Sequence, residues 1–423
     1  MKKILYACIS LLFFACKKNV ESVNQLDNLH NAYSKKREAR TVEEVKIVND
    51  IKKITPILKE LYKNKNVLDE INSAIQSGYY VEEQVKLSDL LYPDNSNLYK
   101  SKTVKNKGLF STEYRRLFDK MYGSPSQINN NSLTGNGNGL DGYLENFNLG
   151  IYFPYSENFI QVEINQVALT PTQYEADFGE GFIFDHNTNN FTQVVVNDFY
   201  AYSNPVHIIT FLDNVAISNN TQQNPSLLTT PPQTNPQLLR VFHGFGRLTR
   251  QLDPLIGFIN SGGSEMVVGR ISGYLERVDG HVKDFKGDLA RLHYTRKAIK
   301  EHRWVRTYSI WDPHWRVDDK EQAYCAYEED NSGSTKFSGK IKTKLASGVE
   351  GEIGFEVTVK TEDGLQAQVK QNRNDYLTTA RQDQGHGFLS NPADNTFLTS
   401  GFWPIYNGGS STNWSWTWPY NWY

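Results

Sequence analysis

Asp312, Asp318, Asp319, Glu321, Glu328, Glu329 and Asp330 gather carboxylates along one short stretch, among residues patterned as strand ends and turns. Hard oxygen donors brought together in loops are what Ca²⁺ requires, six to eight of them at about 2.4 Å. Glu328, Asp330, Ser332 and Gly333 fall on the first, third, fifth and sixth places of an EF-hand loop. The twelfth place needs a bidentate glutamate, but Gly339 stands there, and the flanks have strand periodicity. That excludes an EF-hand and leaves a calcium site built between β-loops. Its candidate ligands are Asp312, Asp318, Asp319, Glu328 and Asp330. The plainer alternative is a solvated acidic face, since a charge cluster by itself is weak evidence for a metal.

A second candidate lies at the C-terminus, Asn413-Trp414-Ser415-Trp416-Thr417-Trp418-Pro419-Tyr420-Asn421-Trp422-Tyr423. In an extended chain alternate side chains share a face, so Trp414, Trp416 and Trp418 line up with Tyr420 and Trp422. An exposed row of this kind stacks on sugar rings or rests at a membrane interface. Aromatic stripes at a structural period more often fill a core. Pro419 cannot donate to a ladder, which places it on an edge strand or at a bend.

Other strings with catalytic overtones fail in context. Gly137-Asn138-Gly139-Leu140-Asp141-Gly142 matches a dinucleotide fingerprint, but that motif works only between a strand and a helix N-terminus. Here an Asn-rich loop precedes it and a strand pattern follows. Gly333 to Ile341 has five residues between its glycines and no terminal hydroxyl, so it is not a phosphate loop. His243-Gly244-Phe245-Gly246 offers backbone amides of the oxyanion-hole kind, but no Gly-x-Ser-x-Gly elbow accompanies it. The nine histidines contain no His-Glu-x-x-His pair. Paired carboxylates of a glycosidase would need a measured separation across a cleft, which a sequence does not supply.

The elements that must position these groups change character along the chain. Thr41-Val42-Glu43-Glu44 is a capping box, followed by an apolar stripe at Val45, Val48, Ile51, Ile54, Leu58 and Leu61. Pro56 is expected to kink or split this helix. Val67, Ile71, Ala74 and Ile75 predict a second helix closed by Gly78, and a third is expected from about Ser111 to Tyr122, stopped by Gly123-Ser124-Pro125. An Asn/Gly/Ser stretch follows, and then the period becomes two. Strands are predicted at Leu149–Phe153, Phe159–Ile164, Thr192–Val196, Val206–Phe211, Leu239–Phe242, Met266–Ile271, Val305–Ile310, Gln322–Tyr327 and Ile353–Lys360. Asp284 to Lys300 is open between helix and strand pair. Tyr, Phe and Trp make up 13% of the chain, which favours wide sheets.

The N-terminus carries an address. Met1-Lys2-Lys3 is a short positive start, Ile4 to Phe14 an apolar run broken only by Ser10, and Ala15-Cys16 follow. A run this short does not span about 30 Å of hydrocarbon as a helix and fits a signal peptide. Phe13-Phe14-Ala15-Cys16 resembles the lipobox of bacterial lipoproteins, although Phe13 and Phe14 depart from its commoner residues. The resemblance implies cleavage before Cys16, a diacylglycerol on its thiol and stable anchoring through several acyl chains. The expected location is the bacterial cell envelope, at the outer membrane. Lys35, Lys36, Arg37 and Arg40 form a basic patch in the tether that follows, a candidate for anionic headgroups or a simple solvated spacer. With Cys8 removed and Cys16 lipidated, Cys325 stands alone. Tyr324-Cys325-Ala326-Tyr327 predicts a buried, inert thiol.

The expected fold class is α+β: a small N-terminal helical region followed by β-rich, sandwich-like units. The expected segments are signal peptide 1–15, lipidated tether 16–40, helical region 41–123, β-rich domain 143–273 with a disordered insertion at 219–237, and β-rich domain 274–423. With 45 basic against 47 acidic residues, a nucleic-acid partner is not expected. The expected function is non-enzymatic binding of a glycan, an envelope protein or calcium. The alternative is a hydrolase with a carboxylate site assembled from distant residues.

Overall fold

Thr41 opens the first long helix, α1 (Val42–Leu61), with the capping box in place: its hydroxyl accepts from the Glu44 amide, and Glu44 accepts from the Thr41 amide. A computed structural model describes residues 37–122, 148–160, 164–212, 239–258, 262–278, 281–315, 317, 320–330, 333–344, 350–361, 363–376, 405–407, 413–417 and 420–422. Before α1, strand β1 (Arg37–Glu38) pairs with a later strand, and Arg37 bonds Glu44 and Glu175 at 2.6 and 2.9 Å. Arg37 is thus tied into the fold by two carboxylates, which corrects the expectation of a tether running to residue 40. Pro56 does not split α1. Ile54, Ile57 and Leu58 around it are fully buried, and the Thr55 hydroxyl donates to the Ile51 carbonyl. Packing of this stripe, at about 1.5–3 kcal/mol per buried aliphatic side chain, exceeds the cost of the missing amide.

Next come α2 (Lys65–Gln76), β2 (Gln84–Lys86), the short α3 (Leu87–Leu91) and α4 (Asn97–Ser101), and α5 (Leu109–Tyr122). Gly78 ends the α2 region at φ 63°, a conformation that glycine adopts without strain. The helices lie on a six-stranded sheet of β2, β3 (Leu149–Tyr152), β8 (Val206–Phe211), β4 (Ala168–Pro171), β6 (Phe178–Asp185) and β7 (Asn190–Asn197), in that order. Its pairs are antiparallel except β4–β8. The short β5 (Tyr174–Glu175) is the partner of β1, and α6 (Asp198–Ser203) links β7 to β8. Residues of α1, α2 and α5 share one core with Leu149, Ile151, Leu169 and Ile209. The helical region is therefore not a separate domain. Phe159, expected in a strand, ends a 3-10 turn (Ser156–Phe159) that follows Tyr155 at φ 60°.

The C-terminal unit is a sandwich. One sheet has the order β11 (His281–Tyr294), β10 (Ser264–Val278), β13 (Glu321–Glu328), β16 (Leu365–Asn372). The other runs β12 (Val305–Trp315), β9 (Leu239–Leu248), β18 (Trp414–Thr417), β17 (Ile405–Asn407), with β19 (Tyr420–Trp422) also on β9. Between them pack Met266, Val268, Trp311, Tyr324, Ala326, Trp414 and Trp416. The outer face of the first sheet, with Val267, Ile271, Cys325 and Tyr327, is covered by the hairpin β14 (Thr335–Lys344) and β15 (Glu350–Val359). Cys325 is buried there as expected. Asp284 to Lys300 resolves into the end of β11 and a short helix, α7 (Arg296–Lys300). The expected boundary at 273/274 falls inside β10, whose hairpin with β11 cannot be divided. The sandwich already begins with β9; between β9 and β10 the chain returns, with Leu255, Ile256 and Phe258 packing into the N-terminal cores. The insertion expected at 219–237 lies outside the described residues. No helix among the described residues is long and apolar enough to cross a membrane.

Candidate metal centre

Side chains alternate along β13, so Tyr324, Ala326 and Glu328 face the interior of the sandwich while Cys325 and Tyr327 face the hairpin. Glu328 thus takes an interior position at the end of its strand, paired in register with Met266. The following turn is fixed by the Glu329 amide on the Glu265 carbonyl and the Asp330 amide on the Lys360 carbonyl. This brings the Asp330 carboxylate beside Glu328. Asp253 approaches from the segment after β9, whose backbone is bridged to the N-terminal unit by Ala176 and Ile256 and held by Arg296 on the Asp253 carbonyl at 2.8 Å. One oxygen from each of Asp253, Glu328 and Asp330 lies within 4.8 Å of the other two, and all three residues are buried.

Glu328 has no solvent exposure, and among the described residues its carboxylate oxygens meet no donor other than the Asp253 carboxyl. Its neighbour is the Asp253 carboxyl, and two carboxyls meet favourably only through a shared proton or a cation. Burial drives the Glu328 carboxyl well above the ordinary carboxylate range; a hydrogen bond with the Asp253 carboxyl opposes this, and Asp330, Glu265 and Asp363 add repulsion. Asp253 is pushed up likewise, by burial first and then by Glu328 and Asp330. Arg296 stands close, but its guanidinium already bonds Asp198 at 2.8 Å. Glu328 and Asp253, buried with their carboxyls facing each other, either share a proton or hold a metal ion.

A second group adjoins the first. Glu82, Glu265 and His293 each place one ligand atom within 4.8 Å of the others. Burial, then Glu82, then Asp253 and Asp330 raise the Glu265 carboxyl, so the two groups lie within electrostatic reach. Burial opposes the charge on Glu82, but contacts with Glu265 and His293 overcome it and lower that carboxyl.

Of the expected calcium ligands, the fold brings Glu328 and Asp330 together. Asp312 is not with them: it pairs with Arg270 at 3.2 Å and accepts from the Gln322 amide. That ion pair is internal to the sandwich and corrects its assignment as a ligand. Asp318 and Asp319 lie outside the described residues, as do Cys16 and Trp418. Asp253, Glu82, Glu265 and His293 were not singled out in the sequence. Asp253 sits in Leu252-Asp253-Pro254 and Glu82 in Val81-Glu82-Glu83, strings that carry no metal signature.

Trp414 and Trp416 of the aromatic row belong to the core. Trp414 and Trp416 have no exposed surface, so neither presents a stacking platform, which corrects the ligand-stacking expectation. Trp416 stacks on Tyr324 with centroids 4.2 Å apart, and Trp414 Nε1 donates to the Tyr324 hydroxyl at 2.7 Å. Gly246 makes the approach possible, since a Cβ there would run into the Trp414 ring. The expected glycine string at 243–246 thus serves packing. Comparison with family models, curated proteins and solved structures finds no match for this chain.

Proposed function

We propose that this chain is a lipid-anchored protein of a bacterial cell envelope whose body is a non-enzymatic binding module organised by calcium at Asp253, Glu328 and Asp330. The observation that carries the calcium assignment is Glu328: a fully buried carboxylate that, among the described residues, meets no donor other than the Asp253 carboxyl, beside two more buried carboxylates. Three carboxylates supply up to six oxygens if bidentate, and water completes a coordination of six to eight. Of the three ligands carried forward from the sequence, calcium is favoured over a glycan because Trp414 and Trp416 are enclosed. Anchoring rests on the lipobox-like Phe13-Phe14-Ala15-Cys16.

Thermal unfolding of the full chain in millimolar Ca²⁺ and in chelator tests the site. A ligand at 100 times its Kd adds about 2.7 kcal/mol, so the Tm rises with Ca²⁺ in the native chain and does not move in Glu328→Gln. Equal melting of the native chain in Ca²⁺ and chelator rejects the site. Anchoring is tested by membrane fractionation: Cys16→Ser moves the chain to the soluble fraction, and retention on the membrane rejects lipidation at that residue.

A further inference from the structure

We infer that Glu82, Glu265 and His293 form a second cation site, selective for a borderline divalent ion of zinc's class, which fastens the N-terminal unit to the sandwich. It extends the cation-binding proposal and is separable from it. Glu265 and His293 are cross-strand partners in the β10–β11 ladder, so they stand on one face of the sheet. Glu82 comes from the other unit, just ahead of β2, and closes the triad.

The geometry around His293 points to an ion. The His293 side chain is 20% exposed, but its Nδ1 is enclosed and faces the two carboxylates. It sits 3.6 Å from Glu82 Oε1 and 3.6 Å from Glu265 Oε1, beyond hydrogen-bond length to both. Two ligands bound at about 2.1 Å to a tetrahedral zinc ion stand roughly 3.4 Å apart. The equal spacing therefore matches two edges of such a coordination shell, at a separation that in the absence of an ion is an ion-pair distance from His293 to each carboxylate. An imidazole nitrogen with carboxylate oxygens suits zinc better than calcium, which takes oxygen donors. His293 would bind as the neutral ring, with its proton on Nε2.

Charge in the wider pocket argues for two ions. Glu82, Glu265, Asp253, Glu328 and Asp330 offer five carboxylates, and Glu265 adds repulsion to the fully buried Glu328. Arg296 is shared with Asp198. One divalent ion at the all-carboxylate triad balances two of these five carboxylates. A second, at the histidine, removes most of the remainder.

The test is titration of the metal-free full chain with zinc chloride alone, followed by calorimetry, and with cobalt chloride, followed by the visible absorption of tetrahedral cobalt. One equivalent of zinc binds, and His293→Ala weakens it at least roughly ten-fold while abolishing the cobalt band. Glu82→Gln does the same, which shows that both units contribute ligands. His293→Gln replaces the alanine variant if that one fails to fold. Glu328→Gln keeps zinc binding while losing the calcium shift, and His293→Ala keeps the calcium shift, so each site fails or stands by itself. Zinc binding unchanged in both His293→Ala and Glu82→Gln, or no zinc binding by the native chain, overturns the proposal.

Discussion

Glu70 and Glu328 are both glutamates without solvent exposure, and the fold treats them in opposite ways. Glu70, on α2, accepts from the Tyr99 hydroxyl at 2.7 Å and from the amides of Gly108 and Phe110 at 2.7 and 2.6 Å. Its neighbour in kind, Glu83, accepts from the Ser156 hydroxyl and the amides of Tyr155 and Glu157. In the N-terminal unit a buried carboxylate is a fastener for loop amides that would otherwise be orphaned. At the junction with the sandwich, Glu328 faces carboxylates instead of amides. Burial alone therefore does not mark a site. What distinguishes a structural carboxylate from a candidate ligand is whether the surrounding backbone supplies donors.

The cores differ as well. The N-terminal core is largely aliphatic, with Ile47, Ile51, Ile54, Ile57 and Leu58 along one helix. The sandwich interior is an aromatic stack of Trp311, Tyr324, Trp414 and Trp416. The largest expected effect follows from this contrast. Trp416→Ala costs about 3–5 kcal/mol in chemical denaturation, whereas a solvent-facing platform residue would cost within about 0.5 kcal/mol. Next is the carboxylate comparison. Glu70→Gln leaves a charge-assisted network mismatched and costs about 2–3 kcal/mol. Glu328→Gln in chelator is close to neutral, because without an ion burial keeps that carboxyl protonated and an amide of the same shape replaces it. Equal losses for the two variants would erase the distinction between them.

The smallest effect concerns histidines that mirror each other across the two regions. His207 lies between the Tyr62 hydroxyl at 2.7 Å and Asn72 Oδ1 at 2.9 Å. His243 lies between Thr307 and Tyr324. The Thr307 hydroxyl donates to the His243 carbonyl, so His243 Nδ1 donates to Thr307 and Nε2 accepts from Tyr324. Burial pushes each ring down to about 3, so both are neutral in the folded chain. Below about 6.5 the unfolded chain binds protons that the folded rings refuse, and stability falls with pH from there toward 3. The buried carboxylates titrate in the opposite sense, so the histidine contribution is read as a difference. His207→Gln lessens the loss between pH 7.5 and 5.5 by about 1 kcal/mol, measured against the native chain in chelator. An unaltered pH profile would show that His207 is already charged.

Much of the architecture is legible locally. The capping box at Thr41 and Glu44, the stripe through Leu61 and the stop at Gly78 depend on contacts within a few residues. Period-two runs such as Gln322–Tyr327 and Val206–Phe211 reappear as strands. Phe159 does not, because the chain turns at Tyr155 onto the Glu83 carboxylate, a partner more than seventy residues away. Pro56 stays within its helix because buried neighbours on both sides hold it there.

For the candidate site, the sequence by itself determined that Glu328 and Asp330 would sit together at a strand end, and that alternate tryptophans would share a face. Only the tertiary structure decided which way that face points, because alternation specifies sides of a sheet but not which side another sheet will cover. It alone brought Asp253 to Glu328, and Glu82 to His293, since those pairings join segments distant in the chain. It also decided that no amide of the described residues would reach Glu328, and an unmet hydrogen-bonding capacity exists only once every neighbour is in place.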